Sequence, residues 1–593
     1  MDFTQGSTVA VLFRQACLDF DFKDKHKIRA LTRTLESTAQ VLAQSELFRC
    51  VSLLLYRIDL TKYRRQAGKD PKLWADLRKL WRDLARTQLS FWDNDDSSDE
   101  EENENENDTI RAVCTGLAKF TRNLVAGVPA NQIRAFENEP DMRRLLHFYT
   151  SWSAMEDSSS IATARVLTQA LSNTVTANDP LVARLWEAYM NLPEDQVVLI
   201  RLLASPDPRT LLTTLIFILN CVQGSRNRTQ LLTRSRVGVR VCIGLLDSMV
   251  NLHEAEEGSD AAKTFDVGYA IFTQIIEEGM VSDLYRKFSI PEEIVTPHQT
   301  TLLKLVDSYL QSTRQDLTGT HVAEILGTHV SLGSFLSRRF FSLSTYAQQS
   351  IARALGAQPT QNAPSEPTAR SSSDSSTSDP SGSSASSSST SFPLLPPAEL
   401  DARLPKVCEA LVLITQCIIT ICLEAEEQEM RLREGLSDVT NFANMKNYFN
   451  QKKTSEQGIA ESLIDLLRQF DLFLPRINFG KPVNPDGSPS LQRSQNTDGF
   501  SYLKRDLVRL LGVLCHGVRA VQDRTRVAGG LPVVMNQCVI DERNPYLREH
   551  AIFTLRNLLQ NNRENQQFVD SLEPSQEWDE DGTLKTIVGA VLK

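Results

Sequence analysis

The chain has ten cysteines, yet no two are spaced Cys-x-x-Cys. That removes the spacing used by most structural zinc sites and by thioredoxin-like redox sites. Most of the cysteines lie inside apolar runs, such as Leu219-Asn220-Cys221-Val222 and Gly512-Val513-Leu514-Cys515. They read as small buried hydrophobes in a reducing, intracellular compartment. The eight histidines are dispersed without His-Glu-x-x-His spacing. No phosphate-binding G-x-x-x-x-G-K-[ST] loop, G-x-S-x-G elbow or kinase signature set occurs. The expectation is a protein that is not an enzyme and carries no cofactor.

Other absences narrow the class further. Glycine (26) and proline (24) are few for 593 residues, which excludes collagen-like and Pro/Gly-rich chains. Period-two alternation bounded by turn residues is missing, so few strands are expected. No apolar run reaches the ~20 residues needed to cross a bilayer. The longest, Ala410 to Leu423, is interrupted by Gln416 and flanked by Lys406, Glu409 and Glu424, and it reads as a buried core helix. The start, Met1-Asp2-Phe3-Thr4-Gln5, shows no basic stretch followed by an apolar one, so no secretory leader is expected there. Basic charge is in deficit: 64 Lys and Arg against 74 Asp and Glu give a net charge of -10. A phosphate backbone needs a basic face, so nucleic acid is not the expected main partner.

What the chain does have is helical periodicity. Ile28, Leu31, Leu35, Ala39 and Leu42 fall at steps of three and four, one face of a helix. Similar patterns recur through most of the chain. With 41% hydrophobic residues there is ample material for a core, but the chain is too long for a single one. Two stretches break the pattern. Residues 93–108, DNDDSSDEEENENEND, hold ten acidic residues and no apolar one, and predict a disordered acidic loop. Residues 356–397 are rich in serine and proline and predict a flexible linker. The expected domains are therefore 1–355 and 398–593. Residues 478–498, with three prolines, predict a further exposed loop.

Internal repeats decide the fold. Arg122-Asn123-Leu124 is followed by Asn131-Gln132, and Arg556-Asn557-Leu558 is followed at the same distance by Asn565-Gln566. Looser copies are Asn173 followed by Asn178, and Asn220 followed by Arg228-Thr229-Gln230. Leu507, Leu511 and Leu514 align with Ala551, Leu555 and Leu558 at an offset within the ~40–47 residues of armadillo and HEAT units. Such units bury their apolar faces by stacking on neighbours, which predicts an all-α armadillo/HEAT-like solenoid suited to holding other proteins. Asn123, Asn173, Asn220 and Asn557 are candidates either to face a binding groove or to tie down the loops between units. Importin-type armadillo proteins place Trp one helical turn before the groove Asn. Here those positions are Lys119, Gln169, Ile216 and Phe553, which argues against binding basic localisation peptides in that mode.

The C-terminal part carries a resemblance. Gly499-Phe500-Ser501-Tyr502-Leu503-Lys504-Arg505-Asp506-Leu507 and Asp541-Glu542-Arg543-Asn544-Pro545-Tyr546-Leu547-Arg548-Glu549-His550, continuing into Arg556-Asn557-Leu558, resemble the two halves of the ataxin-10 domain, over about 499–592. The resemblance implies an armadillo-like fold, a cytoplasmic location, a role in cytokinesis and cell-division signalling, protein partners and self-association as a homo-oligomer. Some fungal relatives carry a copper-transport label. No soft-ligand cluster supports a copper-homeostasis alternative: Cys417 and Cys422 do not share a helix face, and Cys515 and His516, adjacent on a helix, point apart. Read without the family, Asn544-Pro545 predicts a helix start, with Asp541 and Glu542 near its positive end. Ser97 and Ser98, each with an acidic residue three positions on, are candidate phosphorylation sites.

Overall fold

The computed structural model describes residues 5–18, 20–22, 24–43, 60–90, 100–314, 321–356, 401–435, 443–478, 480–483, 500, 502–572, 576–578 and 584–586. Among these residues the chain is all-α apart from three two-stranded antiparallel hairpins, β1 (Lys453–Thr454) with β2 (Gln457–Gly458), β3 (Arg476–Asn478) with β4 (Lys481–Val483) and β5 (Gln576–Trp578) with β6 (Leu584–Thr586). It divides into two compact units. Residues 1–289 with 297–305 form the first, and residues 290–296 with 306–593 form the second.

The first unit opens with α1 (Gln5–Leu18) and α2 (Lys25–Ala43). Four triplets of helices follow. They are α3 (Leu60–Ala67), α4 (Pro71–Ser90) and α5 (Glu100–Val125); α6 (Pro129–Ala135), α7 (Glu139–Tyr149) and α8 (Ser158–Val175); α9 (Asp179–Met190), α10 (Val198–Leu203) and α11 (Pro208–Val222); and α12 (Arg226–Arg234), α13 (Arg236–Leu252) and α14 (Asp260–Glu277). Helix α15 (Val281–Lys287) begins another, and α16 (Pro297–Thr313) starts in the first unit and ends in the second. The third helices stack in order, α2 on α5, α5 on α8, α8 on α11 and α11 on α14. Their buried faces are apolar, as in Val113, Leu117, Phe120 and Leu124 of α5. This is the armadillo arrangement, in which each unit buries its apolar face on its neighbours.

The second unit continues with α17 (Val322–Ala354), α18 (Leu404–Arg433), α19 (Met445–Gln451), α20 (Ile459–Phe473), α21 (Leu503–Cys515), α22 (Arg519–Val527), α23 (Gly530–Asn536), α24 (Leu547–Leu559) and α25 (Arg563–Asp570). Helices α18, α21 and α24 stack as third helices. Helices α21 and α24 approach closely because Gly512 has no side chain: a Cβ there would stand 2.4 Å from Thr554 Oγ1. The apolar helix α18 is long and apolar enough to cross a membrane by length and composition. Here it is a core helix packed between α17 and α21, with Leu411, Ile414, Ile418 and Ile421 buried.

One local device sets the repeat. Six of the third helices end in a left-handed residue, at Gly127, Ala177, Gly224, Gly279, Gly517 and Asn561, with φ between 55° and 72°. A reversal of the chain follows, and the next first helix starts at once. Left-handed backbone suits glycine, tolerates asparagine and strains alanine. The cap that follows is Val128, Asn178, Ser225, Met280, Val518 or Asn562. Proline stands at the start of α6 and α9, where its missing N–H has no partner to lose.

Four expectations need correction. Helix α5 reaches back to Glu100, so the acidic stretch is not loop throughout. Glutamates in a first turn are favoured by the positive end of the helix, and the core-facing residues from Ile110 onward hold the rest. The unit boundary lies near residues 290–306 and not at the serine-rich stretch. Helix α17 belongs with the second unit because it packs on α18 and α20, where Ser344 Oγ meets Ser462 Oγ at 2.5 Å. Residues 476–483 form a hairpin, β3 (Arg476–Asn478) with β4 (Lys481–Val483), where only a loop was expected from residue 478. Finally, α24 starts at Leu547 and not at Pro545, because Tyr546 takes a left-handed conformation with φ 65°. Ser97, Ser98, the linker beyond Gly356 and residues 484–499 lie outside the described residues.

Candidate functional site

The third-helix faces carry the sequence-predicted asparagines. Each reaches the preceding third helix. Asn123 Nδ2 donates to Ala39 O at 2.9 Å, and Asn173 Nδ2 donates to Arg122 O at 3.2 Å. Asn220 Nδ2 donates to Thr176 Oγ1 at 3.2 Å, and Asn557 Nδ2 donates to Gly512 O at 3.0 Å. Asn123 is buried, and the other three are half-buried. Their amides are thus engaged in joining one repeat to the next. Each stands four residues before a left-handed residue and five before a cap, so one local pattern places all four.

A second amide contact runs the other way, from a first helix to the end of the following third helix. Gln132 Nε2 donates to Asn173 O and Thr176 O, both at 2.9 Å. Gln522 Nε2 donates to Asn557 O at 2.8 Å and to Gln560 O at 3.5 Å. In α19 the same service comes from Asn450 Nδ2, which donates to Leu514 O at 3.3 Å, and from buried Lys446 Nζ, which donates to His516 O at 2.6 Å. Helix C-termini leave carbonyls without intrahelical partners, and these contacts satisfy them.

The first unit adds a ladder of charge that sequence reading missed. Arg111 of α5 donates to Asp157, the cap of α8, at 2.9 Å. Arg165 of α8 donates to Asp207, the cap of α11, at 3.2 Å, and Arg209 of α11 donates to Asp260 at the start of α14 at 2.9 Å. Hydrogen bonds from Ser160 and from the N–H groups of Ser159 and Ser160, with the Arg111 charge, outweigh burial and hold the Asp157 carboxyl below its usual range. The partners are more than 40 residues apart, but a local signal existed. Asp157 and Asp207 are each followed three residues on by a hydroxyl residue, Ser160 or Thr210, that donates back to the cap.

In the second unit the family-like segments have defined work. Asp541 Oδ1 accepts from Ile477 N and Arg543 N, both at 3.1 Å, and Oδ2 accepts from Asn544 Nδ2 at 2.8 Å. Glu542 N donates to Ile477 O at 2.9 Å, and Arg543 Nη1 donates to Pro475 O at 3.0 Å. The segment therefore pins the β3–β4 hairpin rather than capping α24. Beside it, Tyr502, Tyr546, Ile552 and Phe553 are exposed, at 44%, 69%, 48% and 59%.

The thiols offer little chemistry. Burial pushes the Cys408, Cys417, Cys422 and Cys515 thiols well above the ordinary thiol range. His516, exposed, instead places Nδ1 at 3.0 Å from Glu426 Oε1. Among the described residues no group of three or more His, Cys, Asp or Glu is arranged to hold a metal.

Comparison with known proteins locates the similarity in the same region. Residues 503–591 match the spinocerebellar ataxia type 10 protein domain. An ataxin-10 homolog of Debaryomyces hansenii is 29% identical over 150 residues, covering 25% of this chain and 28% of that protein. An ataxin-10 homolog of Dictyostelium discoideum is 38% identical over 94 residues, 16% of this chain and 15% of that one. Ataxin-10 of Xenopus tropicalis is 27% identical over 165 residues, 27% and 33% of the two chains. The matches thus span a third or less of these relatives' own lengths. A solved structure described as a phosphorylation switch controlling the interaction between cadherin and beta-catenin covers 94% of this chain and 96% of its own, at 10% identity and a TM-score of 0.24. The repeat architecture rests on the helices and their contacts, and residues 503–591, which hold Tyr546, Ile552 and Phe553, are similar to the domain that names the ataxin-10 proteins.

Proposed function

We propose that this protein is a non-catalytic scaffold that binds other proteins through its C-terminal repeats and serves in cytokinesis and cell division in the cytoplasm. The observation that carries the reading is the exposure of Tyr546, Ile552 and Phe553 at the start of and along α24, a stacked third helix of the matched domain. Ile552 occupies the position of Val508, which in α21 is buried against α24. Among the described residues no further third helix packs on this flank, and we read it as a surface for a partner. A second copy of the chain is one such partner, in line with the self-association expected of the family. Phosphorylation at Ser97 and Ser98 belongs to the same proposal as a means of control, read by mass spectrometry of protein from dividing cells.

The test is affinity capture of the full chain from interphase and dividing cells, beside an Ile552→Glu, Phe553→Glu double variant. Recovery of division proteins by the native chain and their loss with the folded variant supports the scaffold reading. Equal recovery by both removes this face from it. Sedimentation of both forms across concentration reads self-association separately.

A further inference from the structure

Helices α21 and α24 are equivalent, residue for residue, from Leu503–Cys515 to Leu547–Leu559. The face they present reads Tyr502, Arg505 and Arg509 on one, and Tyr546, Glu549 and Phe553 on the other. Both tyrosines precede their helix in the left-handed region, with φ 64° and 65°. That conformation costs a residue with a side chain roughly 1–2 kcal/mol, and glycine escapes the cost. Glycine could not supply an aromatic ring, and here the ring is supplied twice, at the same place in successive repeats. Strain of this kind, repeated and solvent-facing, is a mark of a working surface.

The charge of this face opposes that of the chain. The protein carries -10 overall, yet the two helices hold five basic residues against Asp506 and Glu549, and of the five only Lys504 is buried, paired with Asp471 at 2.9 Å. Asp506 is buried and already chelated by Arg505, with Nε and Nη2 at 2.8 and 3.0 Å. The same Arg505 guanidinium lies 4.4 Å from the centre of the Tyr502 ring. Arg509 has no carboxylate partner among the described residues. His550 lies near both arginines, and burial, then their charges, hold its pKa below the ordinary histidine range. Arg509 is therefore a half-exposed cation with no ion-pair partner among the described residues, one turn from the Arg505–Tyr502 pair.

We propose that this strip is the docking site for an extended acidic peptide, with a carboxylate against Arg509 and Arg505 and an apolar side chain against Phe553 and Tyr546. The inference rests on the scaffold reading and adds the chemistry of the partner. Paired cation and aromatic groups bind carboxylate and apolar side chains side by side. Stacked helices lie about 8–10 Å apart and an extended chain rises about 3.3 Å per residue, so the two contacts fall about three residues apart in the peptide.

The experiment is selection of random twelve-residue peptides on the purified full-length chain, followed by fluorescence polarisation of those enriched. The expected peptides are acidic, with an apolar residue about three positions from a carboxylate, and bind more weakly as salt rises. Arg509→Glu weakens them roughly tenfold or more, a typical effect of reversing a contact charge. Phe553→Ala and Tyr546→Ala weaken them severalfold, and all three variants keep the native melting temperature to within a few degrees. Enrichment of basic or neutral peptides, no enrichment, or affinity unmoved by Arg509→Glu in a folded chain overturns the proposal. If protein partners are still captured from cells in that event, the scaffold reading stands and only the acidic peptide falls. If no partner is captured either, both fall.

Discussion

Gln132 Oε1 accepts a hydrogen bond from Asn178 Nδ2 at 3.0 Å, and Gln522 Oε1 accepts one from Asn562 Nδ2 at 3.1 Å. The two pairs lie in different units and are built alike. In each, a glutamine of a first helix binds the cap of the next first helix with its oxygen and the intervening third-helix carbonyls with its nitrogen. One side chain therefore joins three segments. Gln522 and Asn562 are both buried, so neither can turn to water when the other is lost. Gln522→Leu is expected to destabilise the second unit by about 2–3 kcal/mol, the sum of lost bonds and a stranded amide. Urea unfolding followed by tryptophan-independent circular dichroism reads it, and a change under about 0.5 kcal/mol would show that the network carries no net stability.

Ala177 occupies the left-handed position that Gly127 and Gly224 occupy in neighbouring repeats, with φ 57°. Ala177→Gly should raise stability by about 0.5–1 kcal/mol, the relief of strain less the added freedom of the unfolded chain. A lowered melting temperature would contradict it.

His329 Nε2 and Glu424 Oε2 stand 3.1 Å apart, and both side chains are about 1% exposed. Burial raises the Glu424 carboxyl from 4.5 to about 8 and lowers the His329 imidazole from 6.5 to about 4. The carboxyl's contribution is complete below pH 4.5 and is lost as pH rises towards 8. The imidazole's is complete above 6.5 and is lost as pH falls towards 4. Between 4.5 and 6.5 the two slopes cancel, because folded and unfolded chains each hold one proton on the pair. From 6.5 to 8 only the folded chain keeps it. Stability should therefore fall by on the order of 2 kcal/mol across that window. Glu424→Gln should flatten the slope there, and an equal slope in denaturation at pH 6.5 and 8 for both proteins would refute the assignment.

Asp541 ties β3 to its own turn, as the hydrogen bonds from Ile477, Arg543 and Asn544 record. Asp541→Ala should release the β3–β4 hairpin at about 2–3 kcal/mol while leaving the helices in place. Hydrogen exchange at Ile477 N–H should accelerate well beyond that of α21 amides. If Ile477 remains as slow as before, the hairpin is held by something else.

The sequence revealed the repeats because their punctuation is local. Asn123, Asn173, Asn220 and Asn557 each stand a fixed five residues before a cap, and a reader of the chain meets that spacing directly. The start of α24 was not legible in the same way. Asn544-Pro545 has the composition of a helix start, and only the left-handed turn at Tyr546 moves the start to Leu547. The boundary between the units was hidden for another reason. Serine-rich composition marks a break in the chain, whereas α17 is assigned by what it packs against. Nor could spacing alone join Arg165 to Asp207, since that contact exists only once two helices have stacked. Tyr502 and Tyr546 were visible as letters of a family-like motif, but their shared conformation and exposure belong to the folded chain.

The arginine-to-cap ladder of the first unit has a consequence for how such a chain can change in length. Asp157 and Asp207 are interchangeable acceptors, and Arg111 and Arg165 are interchangeable donors. Excision of residues 157–206 would bring Arg111 opposite Asp207, and insertion of a copy would simply add a rung. The junctions of α5 with α8 and of α8 with α11 use the same plug and socket. Gain or loss of a whole repeat therefore leaves no orphaned charge, while gain or loss of a fraction of one breaks the register at once. Duplication and deletion in whole units are the changes in length that this architecture is built to survive.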